Sequence, residues 1–197
     1  MHYDTLIAVI IAYLFGSIST AVLTCKMMGL PDPRSQGSRN PGATNVLRIG
    51  GKKAAIITLL GDVLKGVIPV LIAKWYGFDT LSLSLITFAA FFGHLYPIFF
   101  GFEGGKGVAT AFGCIIALTW PVGLLLASTW LLIAIIFRYS SLAALITSLL
   151  APFYMWYLTN WDFTIMSIVI SAFLIYRHKS NIKNLLAKKE SKILSKR

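Results

Sequence analysis

The chain has 197 residues, 57% of them hydrophobic, with a mean hydropathy of +0.76, which excludes a soluble domain of ordinary composition and identifies an integral membrane protein. In a soluble protein a formal net charge of +11 would point to nucleic acid; here the cations sit in loops and in the tail, so a membrane surface accounts for them and no nucleic acid is expected. Cys25 and Cys114 lie in or beside apolar runs and form no CxxC, which argues against a disulfide framework and a zinc site.

Apolar runs occur near residues 5–25, 54–74, 81–100, 108–137, 141–158 and 163–177. Their length and lack of alternation predict an all-α membrane protein and not a barrel. The first run starts at Thr5 with no basic residue before it, so it is expected to be a permanent span and not a cleaved signal peptide. Gly16, Ser17, Ser19 and Thr20 give it a small-residue surface on which another helix can approach closely. Within the second run, Asp62 and Lys65 are three residues apart. Charges in lipid are costly, so both are expected to face the bundle, either as a structural ion pair or as the floor of a polar site.

Six basic residues lie between the first two runs (Lys26, Arg34, Arg39, Arg48, Lys52 and Lys53), and eight follow the last run from Arg177 onward. None precedes the first run. This asymmetry predicts an N-terminus outside and a first loop and C-terminus in the cytoplasm. The orientation requires the thirty residues 108–137, about 45 Å of helix at ~1.5 Å per residue, to turn back once. Pro121 and Gly123 mark the break, giving two short helices around Pro121 and seven transmembrane helices in a single domain over 1–197. Residues 186–197 are expected to form a mobile basic tail.

Several polar groups fall on the predicted cytoplasmic side. GSRNPGATNVLR, residues 37–48, holds Ser38, Asn40, Thr44, Asn45, Arg39 and Arg48 without a carboxylate, an inventory suited to phosphate, although an ordinary basic loop would read the same way. FGFEGGKGVAT at 100–110 surrounds Lys106 with Gly104, Gly105 and Gly107 ahead of a helix start; it is an anion cradle or a topogenic lysine in a glycine turn, and not a Walker A loop. His178 and Asn181 share one face if the last helix continues through them, and His94, near Pro97, has a structural reading. No carboxylate cluster suggests a metal, and no cofactor is expected.

Taken together, GSRNPGATNVLR, GHLYPIFFGFEGGKGVAT and YRHKSNI resemble, in this order, the three motif regions of the bacterial acyl-phosphate-dependent glycerol-3-phosphate acyltransferases, the PlsY family. The similarity runs from AYLFGS at 12–17 through GDVLKG at 61–66 and RYSSLA at 138–143 to LLAKKE at 185–190. It implies a seven-helix inner-membrane enzyme with its active site facing the cytoplasm. Such an enzyme moves an acyl chain from acyl phosphate to the 1-hydroxyl of glycerol 3-phosphate, amid membrane lipid, with room for functional coupling to the enzyme that makes acyl phosphate. By motif position, Ser38, Asn40, Thr44, Asn45 and Arg48 belong to the first phosphate-binding region, Lys106 with Gly104 and Gly105 to the second, Ser141 to a short loop, and His178 and Asn181 to the third. Arg48 and Lys106 would stabilise phosphate charge, while the proton acceptor is either substrate phosphate or His178. Arg39 stands where many members carry glycine, and Asn184 and Lys188 depart from the third motif. The alternative function is a transporter of phosphate or a phosphorylated solute, against which the lack of repeat symmetry argues. An HxxxxD acyltransferase is excluded, because Ile7, Phe99 and Lys183 occupy the fifth positions after the three histidines.

Overall fold

The computed structural model describes residues 3–193, and all regular structure among them is helical. The chain divides between Leu118 and Thr119 into two compact units.

The first unit contains α1 (Tyr3–Gly16), α2 (Thr20–Met27), α3 (Ala43–Trp75), α4 (Thr80–Leu95), a 3₁₀ turn at Ile98–Phe100 and α5 (Val108–Leu118). α1 packs on α4, and α3 packs on α2, α4 and α5. The small residues of the first run act as expected: a Cβ at Gly16 would run into the Ala90 carbonyl, and one at Gly93 into the Tyr13 carbonyl. Gly93→Val should therefore lower stability by about 1–3 kcal/mol, because the obstacle is backbone and not a side chain that can swing away. Thermal unfolding in detergent checks this, and an unchanged midpoint would show that the two helices separate freely.

α3 is two helical segments joined at Gly51, whose φ of 76° and ψ of −174° break the helical path. Its first segment begins at Ala43, inside the stretch assigned to a loop from its cations. Val46 and Ile49, three apart, explain the difference: they pack against Ala21, Cys25, Leu30 and Ala54, so this basic turn has an apolar underside.

Asp62 and Lys65 do face the interior, at 2% and 4% exposure. Their charged atoms lie 3.0 Å apart. Thr20 Oγ1 donates to Asp62 Oδ1 at 2.6 Å, and Lys65 Nζ donates to the Ile18 carbonyl at 2.8 Å. Ile18 lies in the break between α1 and α2, where a carbonyl loses its helical partner, and the lysine supplies one. Lys74 does the same for α5, donating to the carbonyls of Ala117 and Leu118, both at 2.9 Å.

The second unit contains α6 (Trp120–Phe137), α7 (Ser140–Leu158), α8 (Trp161–Arg177) and α9 (Lys179–Leu186). α7 packs against both α6 and α8. Pro121 lies in the first turn of α6, where its missing N–H has no partner to lose, so the break falls at Thr119 and costs α6 no length. Only one of the two helices around Pro121 is consequently short: α5 has 11 residues, whereas α6 has 18 and is long and apolar enough to cross a membrane. Four further stretches meet that description, Tyr3–Met27, Ala43–Trp75, Thr80–Phe100 and Ser140–Leu158. The shorter α5, with 11 residues, and α8, with 17, fall below that length. The tail is not wholly loose. The Ile193 N–H donates to the Arg138 carbonyl at 2.7 Å, and the Lys192 ammonium lies over the Tyr139 ring; the rest of the predicted mobile segment, 194–197, is outside the described residues.

Candidate functional site

In the first unit, two loops leading into helix N-termini lie against each other. The loop between α2 and α3 is shaped by its own side chains. Arg34 pairs with Asp32 at 2.7 Å, and its guanidinium also donates to the Phe100 carbonyl at 3.2 Å and approaches Glu103 at 3.8 Å. The hydrogen bond from Arg34 holds the Asp32 carboxyl below its ordinary range, against a smaller opposing effect of burial, and the same bond pushes the Arg34 guanidinium up. A depressed carboxyl stabilises the fold at pH values above its unfolded-state pKa, and this contribution fades as pH falls through the lower folded-state value. Asp32→Asn should thus lower the unfolding midpoint slightly at neutral pH, with the difference closing in acid. The pair is partly exposed, so the effect is modest. A difference that widened below pH 4 would contradict this sign.

Asn45 is buried and spends its carboxamide on the loop. Its Oδ1 accepts the Ser38 N–H at 2.9 Å, while its Nδ2 donates to the carbonyls of Pro33 at 2.9 Å and Gln36 at 3.0 Å. It therefore shapes the cradle and does not present itself to a ligand. Gly37 and Arg39, with φ of 62° and 55°, take the left-handed turns that bring Ser38 into place. Ser38, Arg39, Thr44 and Arg48 are exposed and Asn40 half-buried, so these polar side chains of the motif are accessible to a ligand.

The second loop descends from α4 to α5. Gly104 and Gly105 are buried because there is room only for backbone: a Cβ at Gly104 would meet the carbonyls of His94 and Leu95, and one at Gly105 the Nε2 of His94. That same Cβ would lie 2.9 Å from the Pro41 carbonyl, which places the glycine loop directly against the start of α3. The Gly105 N–H donates to the His94 carbonyl at 3.2 Å. Lys106 is half-buried, two residues before α5 begins.

Beneath this loop lies the buried polar cluster. Thr110 Oγ1 donates to the Asp62 carbonyl at 2.9 Å, which leaves its oxygen to accept from His94 Nδ1 at 3.2 Å; the Asp62 carboxylate is 3.5 Å from the same nitrogen. Both contacts place the proton on Nδ1 and turn Nε2 toward Gly105. The ion pair thus belongs to a larger buried polar cluster, which His94 joins to the glycine loop.

In the second unit, Ser141 Oγ and Asn181 Nδ2 each donate to Glu190 Oε1 at 2.6 Å. His178 is buried, with Nδ1 2.7 Å from the Leu174 carbonyl; a carbonyl can only accept, so Nδ1 carries a proton. The helix does not run straight on to Asn181, because α8 ends at Arg177 and α9 starts at Lys179. Glu190, which closes the LLAKKE segment of the resemblance, was not among the expected site residues, yet it joins the two donors.

The family model described as "Glycerol-3-phosphate acyltransferase" matches residues 6–188. A glycerol-3-phosphate acyltransferase of Shewanella oneidensis is 55% identical over 193 residues, covering 98% of this chain and 95% of that one. One of Methylococcus capsulatus is 54% identical over 187 residues, covering 94% of each. Among solved structures, the crystal structure of PlsY (YgiH), an integral membrane glycerol 3-phosphate acyltransferase, in its glycerol 3-phosphate form is 43% identical with a TM-score of 0.92, covering 96% of this chain and 95% of that one. Its lysophosphatidic acid form is 41% identical with a TM-score of 0.89, at the same coverage.

Proposed function

This chain belongs to the glycerol-3-phosphate acyltransferase family, and from that premise we propose that it transfers the acyl chain of an acyl phosphate to the 1-hydroxyl of glycerol 3-phosphate, releasing 1-acylglycerol 3-phosphate and inorganic phosphate. The observation that carries this reading is the meeting of the two loops at Gly105 and Pro41, which sets an exposed arginine motif beside a glycine-lysine loop. The similar solved proteins, in forms with glycerol 3-phosphate and lysophosphatidic acid, support the acceptor and the product.

Acyl phosphate is a mixed anhydride, so transfer proceeds without an acyl-enzyme. The acceptor oxygen attacks the acyl carbon, the bond from that carbon to the phosphate oxygen breaks, and the hydroxyl proton passes to substrate phosphate. Arg48 and Lys106 neutralise the phosphates and the charge that grows on the leaving group. Ser38, Asn40 and Thr44 orient phosphate oxygens, the Gly104–Gly105 backbone permits close approach, and Asn45 holds the loop in shape. By motif position Ser141 enters as a substrate contact, and Asn181 joins Arg48, Lys106 and His178 in the catalytic set. His178, by motif position, is the competing proton acceptor; if His178→Gln keeps most turnover, the substrate phosphate takes the proton. The one-sided distribution of cations supports seven crossings of a bacterial inner membrane, with the N-terminus outside and this chemistry at the cytoplasmic face.

The test is to supply the purified protein in detergent with palmitoyl phosphate and glycerol 3-phosphate, and to measure lysophosphatidate and released phosphate, expected in equal amounts. No product from folded protein, with phosphate flux into liposomes, would replace this reading with transport.

A further inference from the structure

The buried cluster under the glycine loop has no place in the mechanism above, although it gathers side chains from four helices. Asp62 and Lys65 come from α3, Thr20 from α2, His94 from α4 and Thr110 from α5. A structural ion pair needs only Asp62, Lys65 and the Ile18 carbonyl. The histidine adds something else. Its Nδ1 edge is held by Thr110 and Asp62, while its Nε2 edge stands where any Cβ at Gly105 would have to go. Its backbone carbonyl accepts the Gly105 N–H, and that carbonyl also blocks a Cβ at Gly104. One residue thus touches the glycine loop with both its ring and its main chain, and its ring orientation is set by a carboxylate in the core.

We infer that His94, oriented by Asp62 and Thr110, is a positioning residue that fixes the Gly104–Lys106 backbone at the height a substrate's terminal phosphate group requires. This rests on the reading of that loop as a phosphate site. His94 does not touch substrate; it acts through Gly105. A loop that can sink or tilt by a fraction of an ångström misplaces Lys106, which weakens binding more than it slows bound substrate.

Three variants and a cycle test this. His94→Asn keeps a polar atom near the Nδ1 position but vacates the space against Gly105, whereas His94→Gln reaches toward the Nε2 position. His94→Asn is expected to raise the KM of one phosphate substrate by about 10-fold with kcat within about 3-fold, and His94→Gln to recover most of the loss. Varying glycerol 3-phosphate and palmitoyl phosphate separately identifies which phosphate the loop holds. Gly105→Ala should raise the same KM, and the double variant should fall well short of the product of the two single effects, because the residues share one contact. Unchanged KM values, with activity falling only in proportion to folded protein, or single effects that multiply, overturn the inference.

A binding readout separates this from failure of the acyl-transfer reading: the concentration of glycerol 3-phosphate, or of inorganic phosphate, that half-saturates the rise in unfolding temperature. If wild type makes no lysophosphatidate but is stabilised by either ligand, a roughly 10-fold shift of that midpoint in His94→Asn still supports the positioning role. An unmoved midpoint, or a wild type stabilised by neither, overturns it. Should His94→Asn yield no folded protein, Thr110→Val, which removes one of the groups that orient the His94 ring, supplies the cycle with Gly105→Ala.

Discussion

Arg48→Ala and Lys106→Ala are each expected to lower kcat/KM by about 10²–10³-fold, or about 2.7–4 kcal/mol of transition-state stabilisation, the range for removing one preorganised donor from a site of developing negative charge. Arg48 is exposed in a helical turn whose underside, not its charged face, carries the packing. Its removal should leave the unfolding midpoint almost unchanged, as for other surface substitutions within about 0.5 kcal/mol. Arg48→Lys separates charge from geometry. A lysine preserves the positive charge but not the two-pronged fork, so intermediate activity indicates paired hydrogen bonds to phosphate, while full activity indicates a purely coulombic role. Near-normal turnover in both alanine variants would sink the phosphate assignment for these loops.

The second large effect is on stability. Asp62→Ala leaves Lys65 buried without its counter-charge and takes from Thr20 the shorter of its two hydrogen bonds, leaving the one to the Thr58 carbonyl, and should cost about 3–5 kcal/mol, the range for breaking one side of a buried pair. Replacing both partners, as Asp62→Leu with Lys65→Met, removes the stranded charge and should recover part of the loss, although the Ile18 carbonyl then loses its donor. Thermal unfolding of the two proteins in the same detergent decides the matter. If the double variant is less stable than the single by the full cost of a second independent loss, the two charges are not coupled.

The helices were legible in the sequence where apolar runs approached the length of a span, and the break before α6 was legible because a proline ring selects the first turn of a helix. The start of α3 was not. Arg48, Lys52 and Lys53 read as loop, and only two core positions, Val46 and Ile49, argued for a helix in that stretch. The site divides in the same way. Residue types announced a phosphate inventory, but composition does not say whether an amide addresses a ligand or its own backbone, and Asn45 turned out to do the latter. Arg39 was visible as a departure from glycine. Its φ of 55° supplies the cause, since the position demands a conformation in which glycine meets no steric penalty. His94 and Asp62 are far apart in sequence and adjacent only after α3 and α4 have packed, so no local pattern could join them.

The interrupted first helix also bears on how the chain is made. A ribosome delivers α1 and α2 before α3, and α3 enters lipid with two charged side chains, each costing roughly 2.5–3.5 kcal/mol near the bilayer centre. The groups that quiet those charges earliest, the Ile18 carbonyl and the Thr20 hydroxyl, have by then already emerged, whereas His94 follows later. The gap at Ser17–Ser19 is therefore expected to act as a receptor for the next segment during insertion, with α1 and α2 held beside the insertion machinery until α3 arrives. Truncated nascent chains ending after α3 should insert efficiently with the native first segment and poorly when it is replaced by an uninterrupted polyleucine helix. Equal insertion of the two would mean that α3 enters unaided.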